Sequence, residues 1–384
     1  MKICVITGSR SEFDLLKNLI IEIKKDNFFD LKLFVTGAHL SKYFGETIKY
    51  IKKNKLKIDK IIDVGIKNDD ISSISNSFSI GIKKFSYIFN KINPDAILIL
   101  GDRYEIFSCA ISACLNRIPI IHIHGGERTE GLIDEGIRHS ITKLSHLHFV
   151  STNEYKKRVI QLGESKDRVY NVGSLGVEAI KKTKLMSKKE LQEELNIIFK
   201  GKVALVSYHP ETLEKSKNTK NFDNFLNSLK KLRNFTFIFT MPNADLGYKY
   251  IVNKFKKFVK KNHNSIFVKS LGHRKYFSLC KYSDIVIGNS SSGIIEIPSF
   301  KKPTLNVGSR QDGRLKSGSI IDCSHNTNEI LKKVTLAFSK KFYKKIKKIK
   351  NPYFNGNTSK KIKNIIKKTN FKNLIFKKFI DIKY

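Results

Sequence analysis

Tryptophan is absent from this sequence, and cysteine is sparse: Cys4, Cys109, Cys114, Cys280 and Cys323 stand far apart. None sits in CxxC or metal-ligand spacing, which argues against a disulfide framework and a structural zinc. Cys4 and Cys109 lie inside apolar stretches and read as small core hydrophobes. No apolar run approaches the roughly 20 residues of a membrane span. The longest runs, at Ala96–Leu100 and Ile118–Ile121, have the length of buried strands. Met1 to Ile6 run straight into a strand-like pattern, without the small-residue cleavage site of a signal peptide. A cytoplasmic protein with no membrane span is therefore expected.

Arginine is also scarce. Of 73 basic residues, 11 are Arg and the other 62 are Lys. The formal charge of +39 invites a nucleic-acid reading. Recognition of bases and phosphates, however, favours Arg interleaved with aromatics. Here Lys is spread along the whole chain beside Ile, Asn and Phe, the pattern of solvated lysines. No specific nucleic-acid partner is expected, only salt-sensitive attraction of polyanions.

What is present is alternation. Strand patterns at Lys2–Thr7, Asp30–Thr36, Ile61–Asp63, Ala96–Gly101, Ile118–His122 and His148–Ser151 alternate with helical patterns at Leu15–Lys25, Tyr43–Lys53, Asp70–Ile92, Tyr104–Asn116 and Asp134–Leu144. A Gly-containing pause at Asn171–Gly176 and a Lys/Glu-rich helical stretch from Lys181 to Phe199 follow. Strands then recur at Lys202–Tyr208, Thr236–Thr240, Ile266–Val268, Ile285–Ile287 and Thr304–Val307. This is an α/β pattern of parallel sheets wrapped by helices, in two units of similar size. The expected domains are 1–175, 176–350 and a C-terminal helical segment 351–384. Asn351-Pro352-Tyr353 marks the last break. Beyond it, Ser359–Lys368 is basic and amphipathic, followed by Phe371–Ile382. A helix packing Ile362, Ile365 and Ile366 onto the body is favoured over one lying on a membrane surface.

Ligands of open α/β sheets bind beyond the carboxyl ends of the strands. The first strand is followed by Thr7-Gly8-Ser9-Arg10-Ser11-Glu12, which is not a GxGxxG fingerprint but allows close backbone approach to an anion. His39 follows the second strand. Asp102 and Arg103 follow a buried strand, and Asp102 with Glu105 three residues later also fits a capping box. His122-Ile123-His124-Gly125-Gly126-Glu127, with Asp134-Glu135 and Arg138-His139 beyond, is the densest group of ionisable residues. Crowded carboxylates and imidazoles perturb one another's pKa values and suit proton transfer. An HxH metal pair finds no matching ligands elsewhere, so no metal site is expected. In the second unit His209 follows a strand, as does the Pro242-Asn243-Ala244-Asp245 loop. Gly288-Asn289-Ser290-Ser291-Ser292-Gly293 opens a helix that carries Glu296, a combination suited to a diphosphate and a ribose diol. Arg310 and Arg314, two of the few arginines, share one loop and suit bidentate phosphate binding.

Taken together, Gly101-Asp102-Arg103-Tyr104-Glu105, the His122–Glu127 motif, Ile137-Arg138-His139-Ser140 and Gly288–Gly293 resemble the UDP-N-acetylglucosamine 2-epimerase family, closest to its hydrolysing branch. The resemblance runs along nearly the whole chain. It implies two Rossmann-like domains in a glycosyltransferase-B-like arrangement, with an interdomain cleft and a C-terminal helix returning to the first domain. It also implies a UDP-sugar substrate, no cofactor and no metal; a homo-oligomer is expected. The implied chemistry removes the C2 proton while UDP leaves C1; water then adds to the glycal. Asp102 and Asp134 match the catalytic acids, and His209 the base of the elimination. Ser290, Ser291, Glu296 and Arg310 match the UDP-binding set; Arg10, Arg103 and His39 match residues of the cleft, and Asn243 is a further binding candidate. His124 stands where many relatives carry an acid tied to hydration, so that step falls to His124 or Glu127. Relatives serve sialic acid synthesis from UDP-N-acetylglucosamine or legionaminic acid synthesis from UDP-N,N′-diacetylbacillosamine, and the His124 motif leans to the second. A non-hydrolysing epimerase or a glycosyltransferase of the same fold are the alternatives.

Overall fold

The computed structural model describes residues 1–66, 70–213, 218–243 and 245–381; Ala244 and Ile382, named above, lie outside them. Strands and helices alternate from the start. In order they are β1 (Lys2–Thr7), α1 (Arg10–Lys24), β2 (Asp30–Thr36), α2 (Ile48–Lys53), β3 (Lys60–Ile62), α3 (Ile71–Ile92), β4 (Ala96–Leu100), α4 (Tyr104–Leu115), β5 (Ile120–Ile123), α5 (Asp134–Leu144), β6 (Leu147–Val150), α6 (Asn153–Gln161), β7 (Val169–Asn171) and α7 (Leu175–Lys182). The chain continues with α8 (Lys188–Leu195), β8 (Lys202–Ser207), α9 (Asn218–Lys231), β9 (Phe235–Thr240), α10 (Tyr248–Lys261), β10 (Ser265–Val268), α11 (Gly272–Tyr282), β11 (Ile285–Gly288), α12 (Ser291–Ile295), β12 (Thr304–Val307), β13 (Ile320–Cys323), α13 (Thr327–Ala337), α14 (Lys340–Lys347) and α15 (Thr358–Lys368).

The chain folds as two units. The first comprises Met1–Glu127, Asp134–Ala179 and Tyr353–Tyr384; the second comprises Arg128–Ile133 and Ile180–Pro352. The first sheet has the order β3-β2-β1-β4-β5-β6-β7, the second β10-β9-β8-β11-β12-β13, and all strand pairs are parallel. Both are doubly wound sheets whose strand order reverses once, between β1 and β4 in the first unit and between β8 and β11 in the second. Such a switch point opens a crevice at the carboxyl ends of the strands.

The central strands are apolar on both faces because helices cover both. Ile3, Val5 and Leu98 face one side of the first sheet and Cys4, Ile6, Ile97 and Ile99 the other, all fully buried. In the second unit Ala204 and Val206 alternate with Val203 and Leu205 in the same way. Helix α15 packs Ile362 and Ile366 into the first core, with Ile365 partly buried against it. Its Lys363 and Lys367 pair with Asp26 near the end of α1, so this amphipathic helix covers the first unit. Among the described residues, no helix is long and apolar enough to cross a membrane.

The structure departs from expectation at specific places. Helix α1 starts at Arg10, capped by the Ser9 side chain, and not at Leu15. The stretch from Lys181 splits into two helices, because Ser187 and Glu190 form a capping box that starts α8. Among the described residues, the C-terminal helices expected over 351–384 reduce to α15. The chain after it is pinned by Arg168 donating to the Leu374 and Phe376 carbonyls and by Lys377 donating to Lys143 and Ser145. The two Arg168 bonds engage tail carbonyls that a helix would use internally.

Candidate active site

In the first unit the ionisable residues gather at the carboxyl ends of β4 and β5. The core of the cluster is Arg138, on the second turn of α5 and 1% exposed. Its Nε donates to Asp102 Oδ2 at 2.8 Å, and Nη2 donates to the same oxygen. Nη1 donates to Glu135 Oε2 at 2.8 Å and to the Glu127 carbonyl at 2.9 Å. Burial opposes the charge of Arg138, but Asp102, Glu127 and Glu135 outweigh it and raise its pKa. One guanidinium thus fixes the turn after β4, the end of the β5 loop and the start of α5, where Asp134 is the first residue.

His124 follows β5 with a φ of +70°. That region is sparsely used by residues other than glycine and costs on the order of 1–3 kcal/mol. Its Nδ1 lies 3.2 Å from Glu127 Oε1, and Ser151 Oγ donates to the same oxygen at 3.5 Å. The buried Nε2 has no hydrogen-bond partner among the described residues. Gly126, with φ +76°, lies where a Cβ would come within 2.5 Å of the Tyr155 carbonyl. His122 is structural in character: Nε2 meets the Gly101 carbonyl at 2.8 Å and Nδ1 meets Thr142 Oγ1 at 3.3 Å. Burial pulls its pKa down to about 3.

The β1 and β2 turns carry Arg10 and His39. Arg10 opens α1 and pairs with Asp14 at 3.6 Å. His39 is fully buried, with Nε2 3.0 Å from Thr7 Oγ1 and Nδ1 2.8 Å from Thr47 Oγ1. Burial, reinforced by the charge of Arg10, holds its pKa at about 3. His39 is therefore a neutral brace between two threonines. The capping box expected of Asp102 and Glu105 is not formed: Arg103 is the N-cap of α4 and no side chain caps it. Asp102 turns to Arg138 instead, and the buried Glu105 accepts from Arg103 Nε at 2.9 Å.

In the second unit the switch point holds His209 and Asn289. The Asn289 amide grips the His209 main chain on both sides. Oδ1 accepts the His209 N–H at 2.7 Å, and Nδ2 donates to the His209 carbonyl at 2.9 Å. His209 Nδ1 accepts the Asn243 N–H at 3.1 Å, so the proton of the neutral ring sits on Nε2. The Asn289 carbonyl accepts from Arg310 Nη1 at 3.2 Å and from Gln311 Nε2 at 2.8 Å. Arg310 also pairs with Asp245 at 3.6 Å. Ser290 caps α12, accepting from the Ser292 N–H at 3.4 Å; Ser291 starts the helix and Glu296 ends it, 8% exposed.

Each unit therefore assembles its own set: Asp102, Glu135 and the Glu127 carbonyl on Arg138, with His124 on Glu127 and Asp134 opening the same helix, in the first, and His209, Asn243, Arg310 and Ser290 around Asn289 in the second. Arg10, His39 and Arg103 sit on neighbouring turns of the first sheet. Sequence reasoning passed over Arg138, Asn289 and Glu105 as site residues. A scarce Arg inside the acidic cluster was the available signal for Arg138. Among the described residues no group of three His, Cys, Asp or Glu side chains is arranged to hold a metal ion.

Comparison with known proteins agrees with this architecture. The family profile described as UDP-N-acetylglucosamine 2-epimerase matches residues 21–367. The chain is 43% identical, over 99% of both sequences, to the GDP/UDP-N,N′-diacetylbacillosamine 2-epimerase (hydrolyzing) of Campylobacter jejuni. It is 40% identical to polysialic acid biosynthesis protein P7 of Escherichia coli, covering 99% of this chain and 97% of that one. Among solved structures, the UDP-GlcNAc 2-epimerase of Neisseria meningitidis bound to UDP-GlcNAc superimposes with a TM-score of 0.81 at 22% identity, over 96% of this chain and all of that one. The chain belongs to the UDP-N-acetylglucosamine 2-epimerase family, in its hydrolysing branch.

Proposed function

We propose that the protein is a hydrolysing nucleotide-sugar 2-epimerase that releases UDP from a UDP-linked 2-acetamido sugar and yields the free manno-configured sugar. The observation that carries this reading is the set of carboxylates gathered on Arg138, with His124 joined to Glu127 beside it. A glycosyltransferase needs a charged donor site but no such collection of proton carriers. In the first step a carboxylate of this cluster, Asp102 or Asp134, takes the C2 proton. The C1–O bond breaks with its electron pair passing to the β-phosphate oxygen, leaving a C1=C2 glycal. In the second step a proton is delivered to C2 from the opposite face and water adds its oxygen to C1, losing a proton to the His124–Glu127 pair. The balance is nucleotide-sugar plus water giving UDP plus free sugar.

The second unit holds the nucleotide in this reading. Arg310 meets the diphosphate, with Ser290, Ser291 and Asn243 as neutral donors, and Glu296 accepts from the ribose diol. With its Nδ1 occupied by Asn243, His209 offers an Nε2–H. This tautomer suits a donor to the departing UDP oxygen better than a base at C2. Arg10 and Arg103 add positive charge from the first unit. His39 serves by bracing the β2 turn.

The sugar favoured is UDP-N,N′-diacetylbacillosamine, giving 2,4-diacetamido-2,4,6-trideoxymannose for legionaminic acid synthesis; the name of the Campylobacter relative supports it. UDP-N-acetylglucosamine, giving N-acetylmannosamine for sialic acid synthesis, is the second reading, favoured by the name of the Escherichia coli relative. The test is incubation of the purified protein with each UDP-sugar, and with GDP-N,N′-diacetylbacillosamine, without any acceptor. NMR and mass spectrometry are expected to find free nucleoside diphosphate and a free 2-epimerised sugar. An epimer still attached to UDP, or turnover only with an acceptor, would overturn the proposal.

A further inference from the structure

The turns after β1, β2 and β4 meet over two buried carboxylates that the proposed chemistry does not use. Glu105, on the first turn of α4, is fully buried. Its Oε1 accepts from Arg103 Nε at 2.9 Å, and its buried Oε2 has no hydrogen-bond partner among the described residues. Glu12, on the first turn of α1, is 6% exposed. Its Oε2 accepts the Gly8 N–H at 2.7 Å, while Oε1 has no partner among the described residues.

The glycines of these turns are shaped to Glu105. A Cβ at Gly8 would lie 2.8 Å from Glu105 Cγ and 2.9 Å from its Oε1. At Gly37, where φ is +62°, a Cβ would lie 3.1 Å from the same oxygen and 2.6 Å from the Gly8 carbonyl. That carbonyl also accepts the His39 N–H at 3.3 Å. One carboxylate therefore contacts the turn that carries Arg10, the turn that carries His39, and Arg103 itself.

We propose that Glu105 is a positioning residue for the reaction. It fixes the guanidinium plane of Arg103 and supports the two glycine turns, so that Arg10 and Arg103 meet an anionic ligand such as a sugar diphosphate in one fixed geometry. The proposal rests on the reading that these arginines bind the nucleotide-sugar. The bond from Nε to Glu105 sets the orientation of the Arg103 guanidinium plane, and a guanidinium held in one plane is what paired contacts to phosphate oxygens require. A helix cap does not explain Glu105, because its carboxylate is spent on Arg103.

Glu12 makes the support sensitive to protonation. Burial first, and the charge of Glu105 second, raise its pKa to about 8, with Arg103 and the Gly8 N–H opposing. The other charged or titratable groups of these turns are Arg10 with its partner Asp14, and His39, which stays neutral. At neutral pH the pair therefore holds one negative charge against Arg103. Ionisation of Glu12 would add a second charge beside Glu105 and draw the arginines inward.

The experiment compares wild type with Glu105→Gln and Glu12→Gln in initial rates of nucleoside diphosphate release from pH 6 to pH 9.5, with circular dichroism and thermal unfolding as fold controls. Glu105→Gln is expected to fold, to raise KM about tenfold, one bidentate contact's worth of orientation, and to move the alkaline fall of kcat/KM to lower pH, since Glu12 loses its neighbouring charge. Glu12→Gln, which cannot ionise there, is expected to lose that fall. A merely structural role would lower stability without moving the pH profile. Glu105→Gln with wild-type kcat, KM and pH profile would overturn the proposal. Should that variant fail to fold, a Glu12→Gln profile identical to wild type would do the same. A wild type that releases no nucleoside diphosphate from any of the three sugars would instead sink the functional reading itself.

Discussion

Asn289→Ala tests the cluster of the second unit. Asn289 is fully buried, and its amide satisfies both the N–H and the carbonyl of His209. Truncation strands both groups in a site where His209 itself is only 6% exposed. A buried polar group left without a partner costs about 1–3 kcal/mol, so two cost about 2–6 kcal/mol. A water that takes the place of the amide returns part of that cost. The expected loss is about 2–4 kcal/mol in the unfolding free energy of the second unit, read from urea titration.

Catalysis should fall as well. His209 would no longer be held at both ends of its peptide, and a misplacement of about 1 Å costs on the order of 100-fold in rate. Asn289→Asp separates the two effects: it keeps the acceptor for the His209 N–H but sets a carboxylate oxygen against the His209 carbonyl, so it should fall between alanine and wild type in stability. The assay pairs urea unfolding with the rate of UDP release. An alanine variant within about 0.5 kcal/mol of wild type, with kcat/KM within a factor of about two, would refute the reasoning, because the clamp would then hold nothing that matters.

Other outcomes follow from the same geometry. Asp102→Asn should slow UDP release by about 10²–10⁴-fold, the range of a lost proton-transfer group, while UDP binding by calorimetry stays close to wild type; a loss under tenfold would remove Asp102 from the chemistry. His39 and His122 have folded pKa values of about 3, below the 6.5 of the unfolded chain, so their stabilisation is complete above pH 6.5 and is lost as pH falls toward 3. Each accounts for roughly 2–3 kcal/mol by pH 4.5, and Glu12, whose raised pKa works in the opposite direction, offsets one of them. Thermal transitions recorded from pH 7 to pH 4.5 should therefore fall, and a constant midpoint would refute the assignment. Gly288→Ala places a Cβ 2.0 Å from the Ser207 carbonyl at a φ of +138°; little soluble protein is expected, and a normal yield with an unchanged thermal midpoint would contradict the backbone geometry.

Much of the fold was legible because the strands are long, apolar and regularly spaced. β1, β2 and β12 and helix α5 have the boundaries their patterns suggest. The elements that escaped are those whose burial is slight. α6 buries only Tyr155 and Val159, four residues apart, in a stretch that is polar apart from Ile160. β7 has three residues, and β13 is an edge strand that leaves Asp322 exposed. The late start assigned to α1 has a different cause. Its first two turns contain Glu12 and Asp14, polar residues that are nonetheless buried, and buried polar residues imitate a loop when only hydrophobic period is read. The same limit applies to the site. Motifs marked Asp102, His124 and His209, but the partners that fix them, Arg138 and Asn289, lie 36 and 80 residues from Asp102 and His209. Nothing local in the sequence reports such pairings.

The two units invite comparison because both have a switch point of the same kind, braced differently. In the second unit the turn after β8 is tied to the turn after β11 by an amide, Asn289 on His209. In the first, the turn after β1 meets the turn after β4 through carboxylates, Glu12 on Gly8 and Glu105 beside both glycines. An amide has the same charge at every working pH; a carboxylate pair does not. In the proposed reading the second unit's contacts to the nucleoside should therefore depend little on pH between 6 and 9, while affinity for the diphosphate, which also meets Arg10 and Arg103, bends with turnover. Calorimetric titration of uridine and of UDP over that range, beside kcat, separates the two, and a uridine affinity that follows the turnover profile would mean that a pH-sensitive brace lies in the second unit instead.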